Sequence, residues 1–223
     1  MGFFKKLQEQ TESERKKLFD VPVIQQSLAG QVSKESYIAF LTEAYHHVKH
    51  TVPLLMACGS RLPERYEWLR EAVAEYIEEE IGHQEWILND ISACGADKEK
   101  TRRGKPSLAT ELMVAYAYDT IDRGNPVGFF GMVQVLEGTS IALAINAADA
   151  IQKSLKLPVQ AFSYLRSHGS LDIEHIAFFE SLMNRISSKG DQEAILHSAK
   201  VFYKLYADIF RTLPTAINAQ KAA

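Results

Sequence analysis

The stretch SHGSLDIEHIAFFES, residues 167–181, carries the reading on which the fold depends. His168, Asp172 and His175 stand at i, i+4 and i+7, which an α-helix returns to one azimuth within roughly 60°. Leu165, Phe179 and Leu182 share that azimuth, so the stripe faces an apolar interior. Two imidazoles and a carboxylate on a buried face make most sense around a cation.

Outward from this helix, Gly and Pro mark the connections: Val21-Pro22, Gly30, Gly59 to Pro63, Gly95, Arg103 to Pro106, Gly124 to Pro126, Pro158 and Gly190. Between them the 3.6-residue period predicts helices over about 3–19, 22–29, 33–59, 63–94, 107–123, 126–155, 158–188 and 191–213. Ser33 with Glu35, Asn125-Pro126 and Asp191 with Glu193 read as helix starts. No strand alternation, repeat or low-complexity tract interrupts the pattern. The expected fold class is all-α, one up-and-down helical domain over residues 1–223.

Composition narrows the function classes. The chain has 223 residues, 46% hydrophobic and 24% charged, with a net charge of −3. That suits one sizeable core and offers no basic stripe for nucleic acid. The most apolar run, Val127–Ala150, is broken by Gln134, Glu137 and Asn146, so no membrane span is expected. The N-terminus lacks a leader's apolar core and cleavage signature, and position 6 is Lys, which spoils a myristoylation signal. Cys58 and Cys94 lack CxxC spacing and read as reduced thiols near helix ends, in a cytoplasmic protein.

Three more helices bring candidate ligands to the inner face. Glu80 and His83 form Glu-x-x-His beside the apolar positions Leu69, Val73, Tyr76, Ile87 and Ile91, while Glu78 and Glu79 point outward. In AYHHVKH, His47 sits at the margin of a face set by Tyr37, Leu41, Ala44 and Val48; His46 and His50 point away. A slight roll of that helix would present His50 or Glu43 instead. Glu137 is the only ionisable residue from Pro126 to Ala148, and a buried carboxylate there needs a partner or a proton. His197 lies near Tyr203 and Tyr206 and reads as structural.

The inner set is therefore His47, Glu80, His83, Glu137, His168, Asp172 and His175. Seven nitrogen and oxygen ligands without thiolate exceed one zinc and suit two irons, or manganese. We assign His47, Glu80, His83 and His175 to one metal and Glu137, His168 and Asp172 to the other, bridged by Glu80 or Glu137.

At these motifs, Glu80-x-x-His83, Glu137 in VLEGTS and His168-x-x-x-Asp172-x-x-His175, the chain resembles the heme-oxygenase-like di-iron oxidases. They belong to the wider superfamily of heme oxygenase, thiaminase II (TenA) and the pyrroloquinoline-quinone synthase PqqC. The likeness includes the segment PVIQQSLAGQVSKESYIAFLTEAYHHVKH, residues 22–50. It implies a bundle of about seven helices and a di-iron centre that activates O2. It also implies oxidation of a small fatty acid-, amino acid- or amine-like substrate with the help of an electron donor. His47 departs from the many members that carry Glu there, making the first metal richer in nitrogen.

The superfamily's other activities fit less well. Heme oxygenase needs an axial histidine on an early helix, and none precedes His46. Thiaminase II needs a cysteine in its pocket, and the helix 126–155 has none. The quinone synthase holds an anionic substrate with inward arginines and lysines, whereas these inner faces carry carboxylates. Tyr37, Tyr76, Phe130, Val133, Ile141, Tyr164 and Phe179 are the expected substrate walls, joined by Phe129. Two further readings stand beside the oxidase. In one, a metal-free, TenA/PqqC-like protein binds or processes a small cofactor-related molecule. In the other, the chain is a structural partner in a homodimer.

Overall fold

The computed structural model describes residues 2–215, with the side chains of 168–175 outside the described residues. The described chain is helical throughout and contains no strand. Its helices are α1 Phe3–Gln10, α2 Glu12–Phe19, α3 Pro22–Leu28, α4 Lys34–Val48, α5 Thr51–Arg61 and α6 Glu67–Glu80. They continue as α7 His83–Ala93, α8 Lys98–Arg103, α9 Leu108–Asp122, α10 Phe130–Leu155, α11 Ser163–Arg185 and α12 Lys189–Thr212.

Helix α10 is the axis of the bundle, packed on α11, α12 and α3, while α4 packs on α7 and α5 on α6. The stretch Pro126–Leu155 is long and apolar enough, by length and composition, to cross a membrane, contrary to the expectation from its polar interruptions. In the bundle 56% of its most apolar window is buried, as a central helix requires. Close approach depends on Gly131: a Cβ there would lie 2.5 Å from Ala199 N and 2.7 Å from Ile195 O on α12. Only a residue without a side chain lets the two backbones meet.

Three expected helices are interrupted. Between α1 and α2, the buried Thr11 hydroxyl donates to Leu7 O at 2.7 Å, and the chain bends there. The span 33–59 divides at Lys49 and His50 because Pro53, in the first turn of α5, has no N–H to continue the ladder. The span 63–94 divides at Gly82, whose φ of 95° is left-handed and stops α6. Helix α8 falls where the sequence reads as a loop; Asp97 caps it, accepting from Glu99 N at 2.9 Å and Lys100 N at 3.3 Å.

Carboxylates, two of them buried, tie distant segments together. Asp90 on α7, 0% exposed, accepts from Ser163 N at 3.1 Å, Tyr164 N at 2.9 Å and the Ser163 hydroxyl, closing the first turn of α11. Glu43 does the same for α9, through Ser107 N, Ser107 Oγ at 2.9 Å and the Thr110 hydroxyl. Asp191 lies inside α12, one turn past its cap Ser188. It accepts from Tyr66 Oη at 2.6 Å, Asn125 Nδ2 at 2.7 Å and Arg65 at 3.3 Å.

Candidate functional site

A cavity of about 170 Å³ runs along α10. One water needs about 10–15 Å³ on this measure, so the space is large enough for an organic molecule. Its wall on α10 includes Val133, Glu137, Ser140, Ala144, Ala147 and Ile151, spaced three or four apart on one helix face. From Glu137 to Ile151 that face spans about 21 Å at 1.5 Å per residue. Helices α3, α4, α5, α6, α11 and α12 close the remaining sides.

The wall carries a few polar groups besides Glu137. Glu80 ends α6 and lines the cavity, as do Tyr76, His47, Thr139 and Tyr164. Burial pushes the Tyr76 phenol far above its ordinary value, and the carboxylates of Glu137, Glu79 and Glu80 push it further. Glu137 thus stands close to the Tyr76 hydroxyl. His47, 3% exposed, meets the Tyr206 ring edge-on at 5.9 Å. Thr139 is 5% exposed, and its buried hydroxyl has no hydrogen-bond partner among the described residues. No lysine or arginine lines the cavity among the described residues. By sequence, 168–175 adds none. Arg166 on α11 turns instead to Asp149 and Gln152, each at 2.7 Å.

The expected metal centre is corrected here. Glu80 and His83 do not share a helix face, because Gly82 restarts the chain between them. His83 is buried against Trp86, its Nδ1 is 3.0 Å from Glu80 Oε2, and it does not line the cavity. His47, Glu80 and Glu137 do line it, but among the described residues no group of three or more His, Cys, Asp or Glu is placed to hold a metal ion. His168, Asp172 and His175 lie outside the described residues. The described donors therefore do not fit two irons or manganese, and the O2-activating di-iron oxidoreductase built on that set is overturned.

Of the expected substrate walls, Tyr37, Val133, Tyr76 and Tyr164 line the cavity. Phe130 and Phe179 do not: both are core, the first packed on Phe129 and the second on Phe4 of α1. Phe129 lines it, while Ile141 is half-buried away from it. His46, expected to point outward, is 1% exposed. Burial first, then nearby Lys49, holds its imidazole below the usual value. His50 meets the Tyr118 hydroxyl at 3.2 Å, and His197 is exposed. The free thiols are buried away from the cavity, with Cys58 pushed up to about 12 and Cys94 to about 11 by burial. Sequence reasoning missed Phe40, Thr139, Ser140, Tyr206 and Phe210 as wall residues. For α10, the signal was present in the run of small and hydroxyl residues at three- and four-residue spacing.

The sequence-family profile described as iron-containing redox enzyme matches residues 38–207. No curated protein matches the chain. Among solved structures, a domain of unknown function with a heme oxygenase-like fold from Shewanella denitrificans is 26% identical. That match covers 95% of this chain and 91% of the other, with a TM-score of 0.83. A TenA homologue from Pseudomonas syringae is 10% identical over 94% of this chain and 91% of its own, with a TM-score of 0.78. Heme oxygenase-1 from Synechocystis, solved with heme, is 13% identical over 100% and 96%, with a TM-score of 0.77. The last two likenesses establish a shared fold.

Proposed function

The chain belongs to the iron-containing redox enzyme family, within the heme-oxygenase-like, TenA/PqqC superfamily, and from that premise we propose that it binds a small, cofactor-related organic molecule in the α10 cavity. The observation that carries this reading is the cavity itself: an apolar channel inside the bundle with carboxylate, phenol, imidazole and hydroxyl groups in its wall. Buried apolar space with a few placed polar groups is how proteins hold small organic ligands.

The chemistry of the wall narrows the class. Neither cysteine reaches the cavity, so the thiol that thiaminase II uses has no counterpart there. A polycarboxylated ligand such as a quinone cofactor, or the propionates of heme, would meet Glu80 and Glu137 in a wall that carries no lysine or arginine among the described residues. A neutral or cationic molecule with a substantial apolar body fits.

Titration with Nile red, an uncharged apolar dye, tests the reading. Ala144 lies on the wall, and Ala144→Phe fills the channel from within. The wild-type protein is expected to bind one dye with a blue-shifted emission, and the variant to lose at least tenfold in affinity while keeping its helicity. Dye binding unchanged in Ala144→Phe would place the site elsewhere and overturn the reading.

A further inference from the structure

We infer that the cavity selects an uncharged ligand with a carbonyl group on an apolar body, and that the Thr139 and Tyr206 hydroxyls donate to that carbonyl oxygen. This rests on the cavity reading above and assigns its ligand class. Both residues line the cavity, Thr139 from α10 and Tyr206 from α12. Both hydroxyls are spare. Thr42 and Thr120, also inside helices, return theirs to the carbonyl four residues back, at 2.9 and 2.8 Å. Thr139 makes no such bond. Buried Tyr37 and Tyr66 donate to Ala161 O at 2.7 Å and to Asp191 at 2.6 Å. Tyr206, equally buried, has no hydroxyl partner among the described residues.

Helix register brings the two groups to one level. A Cβ at Gly128 would meet Ala194 O at 3.5 Å, and one at Gly131 would meet Ile195 O and Ala199 N. Helices α10 and α12 therefore leave this contact in the same direction. Thr139 lies eight residues beyond Gly131 and Tyr206 seven beyond Ala199, roughly 12 and 11 Å along their axes. Tyr206 returns to within about 20° of the Ala199 azimuth, so it faces α10. Thr139 is turned about 80° from Gly131, which takes it from the α12 contact to the cavity wall.

The donor count sets the ligand. Burial alone raises the Tyr206 phenol above its ordinary value, so it keeps its proton and donates. Thr139 supplies a second O–H, and a carbonyl oxygen has two lone pairs to receive both. A hydrocarbon of the same shape would leave two buried hydroxyls unmet. Farther along α10 the cavity is walled by Ala147 and Ile151, with Val23 and Ile24 of α3. That stretch suits an aliphatic or aromatic body.

The test compares 2-decanone with 2-methyl-1-decene, in which a methylene group replaces the carbonyl oxygen. Each is titrated into the intact protein below its solubility limit, with Nile red displacement reporting occupancy of the cavity. Infrared spectra record the carbonyl stretch of the bound ketone. Thr139→Val and Tyr206→Phe each remove one hydroxyl and nearly keep the side chain's shape. Each is expected to weaken 2-decanone about three- to tenfold, the net worth of one hydrogen bond, and to leave the alkene within about twofold. The carbonyl band of the bound ketone is expected below its frequency in hexane, and should move back toward it in both variants. Circular dichroism checks helicity, and either variant serves should the other fail to fold. Ketone binding indifferent to both substitutions, equal losses for ketone and alkene, or a wild-type band at the hexane frequency would overturn the carbonyl assignment while leaving the cavity reading intact. Failure of both compounds and of Nile red to bind would remove the cavity reading and this inference with it.

Discussion

Replacing Asp90 with alanine should loosen the helix that forms one wall of the cavity, by an amount the structure lets us work out. Asp90 is 0% exposed and accepts from two backbone amides and one hydroxyl at the start of α11. Burial raises its carboxyl above the usual range, opposed by those same hydrogen bonds from Ser163 and Tyr164. Loss of a helix cap costs about 0.5–2 kcal/mol. Leaving a buried donor unsatisfied costs about 1–3 kcal/mol more. A total near 3 kcal/mol lowers the melting temperature of a domain this size by roughly 6–12 °C. Asp90→Asn keeps an oxygen acceptor and should cost about half as much.

The control is Asp97→Ala, which removes the exposed cap of the short α8 and should cost about 0.5 kcal/mol. Differential scanning calorimetry with far-ultraviolet circular dichroism measures all three variants. Tyr164 lines the cavity, so Asp90→Ala should also weaken Nile red binding. An Asp90→Ala melting temperature within about 2 °C of the wild type would refute the reasoning, since two amides cannot lose a buried partner at so small a cost.

Three further outcomes follow from the same geometry. Gly131→Ala drives a methyl into the backbone of α12 and is expected to cost about 1–3 kcal/mol in urea unfolding; an unchanged midpoint would mean that α10 and α12 separate without penalty. Gly82→Ala meets open space but keeps a left-handed φ of 95°, so calorimetry should show a smaller loss of about 1 kcal/mol. Burial alone would raise Asp191, but hydrogen bonds from Tyr66, Asn125, Ser188 and Arg65 hold it below the usual carboxylate value. Its folded pKa is therefore below the unfolded one, so its stabilisation is present above about pH 3.9 and is lost as pH falls further. Urea midpoints measured downward from pH 5 should fall less steeply in Asp191→Asn than in the wild type.

Periodicity made α9, α10 and α12 legible almost to their ends, because each carries an unbroken apolar stripe. The breaks were less visible. Pro53 and Gly82 sit inside stretches whose apolar spacing continues across them, so the stripe hid the interruption. The consequence reached the site: Glu80 and His83, three apart, read as neighbours on one helix, whereas they belong to two. The capping acids Asp90, Glu43 and Asp191 left no local trace, since their partners lie far along the chain. His46 misled for a different reason: it lies outside the apolar arc of α4, yet Gly104 and its neighbours cover that side of the helix. Aromatic residues were the poorest guide to the wall, because Phe130 and Phe179 serve the core while small residues on α10 open the channel.

The most direct measurement is crystallographic: soak or co-crystallise the protein with 1-bromodecane and locate bromine by its anomalous scattering. If the channel along α10 is the ligand site, the peak lies inside the bundle, between Glu137 and Ile151 and within contact of the Ala144 and Ala147 side chains. A bromine found only on the outer surface, with Leu143 and Ile151 closed over a filled core, would contradict the account.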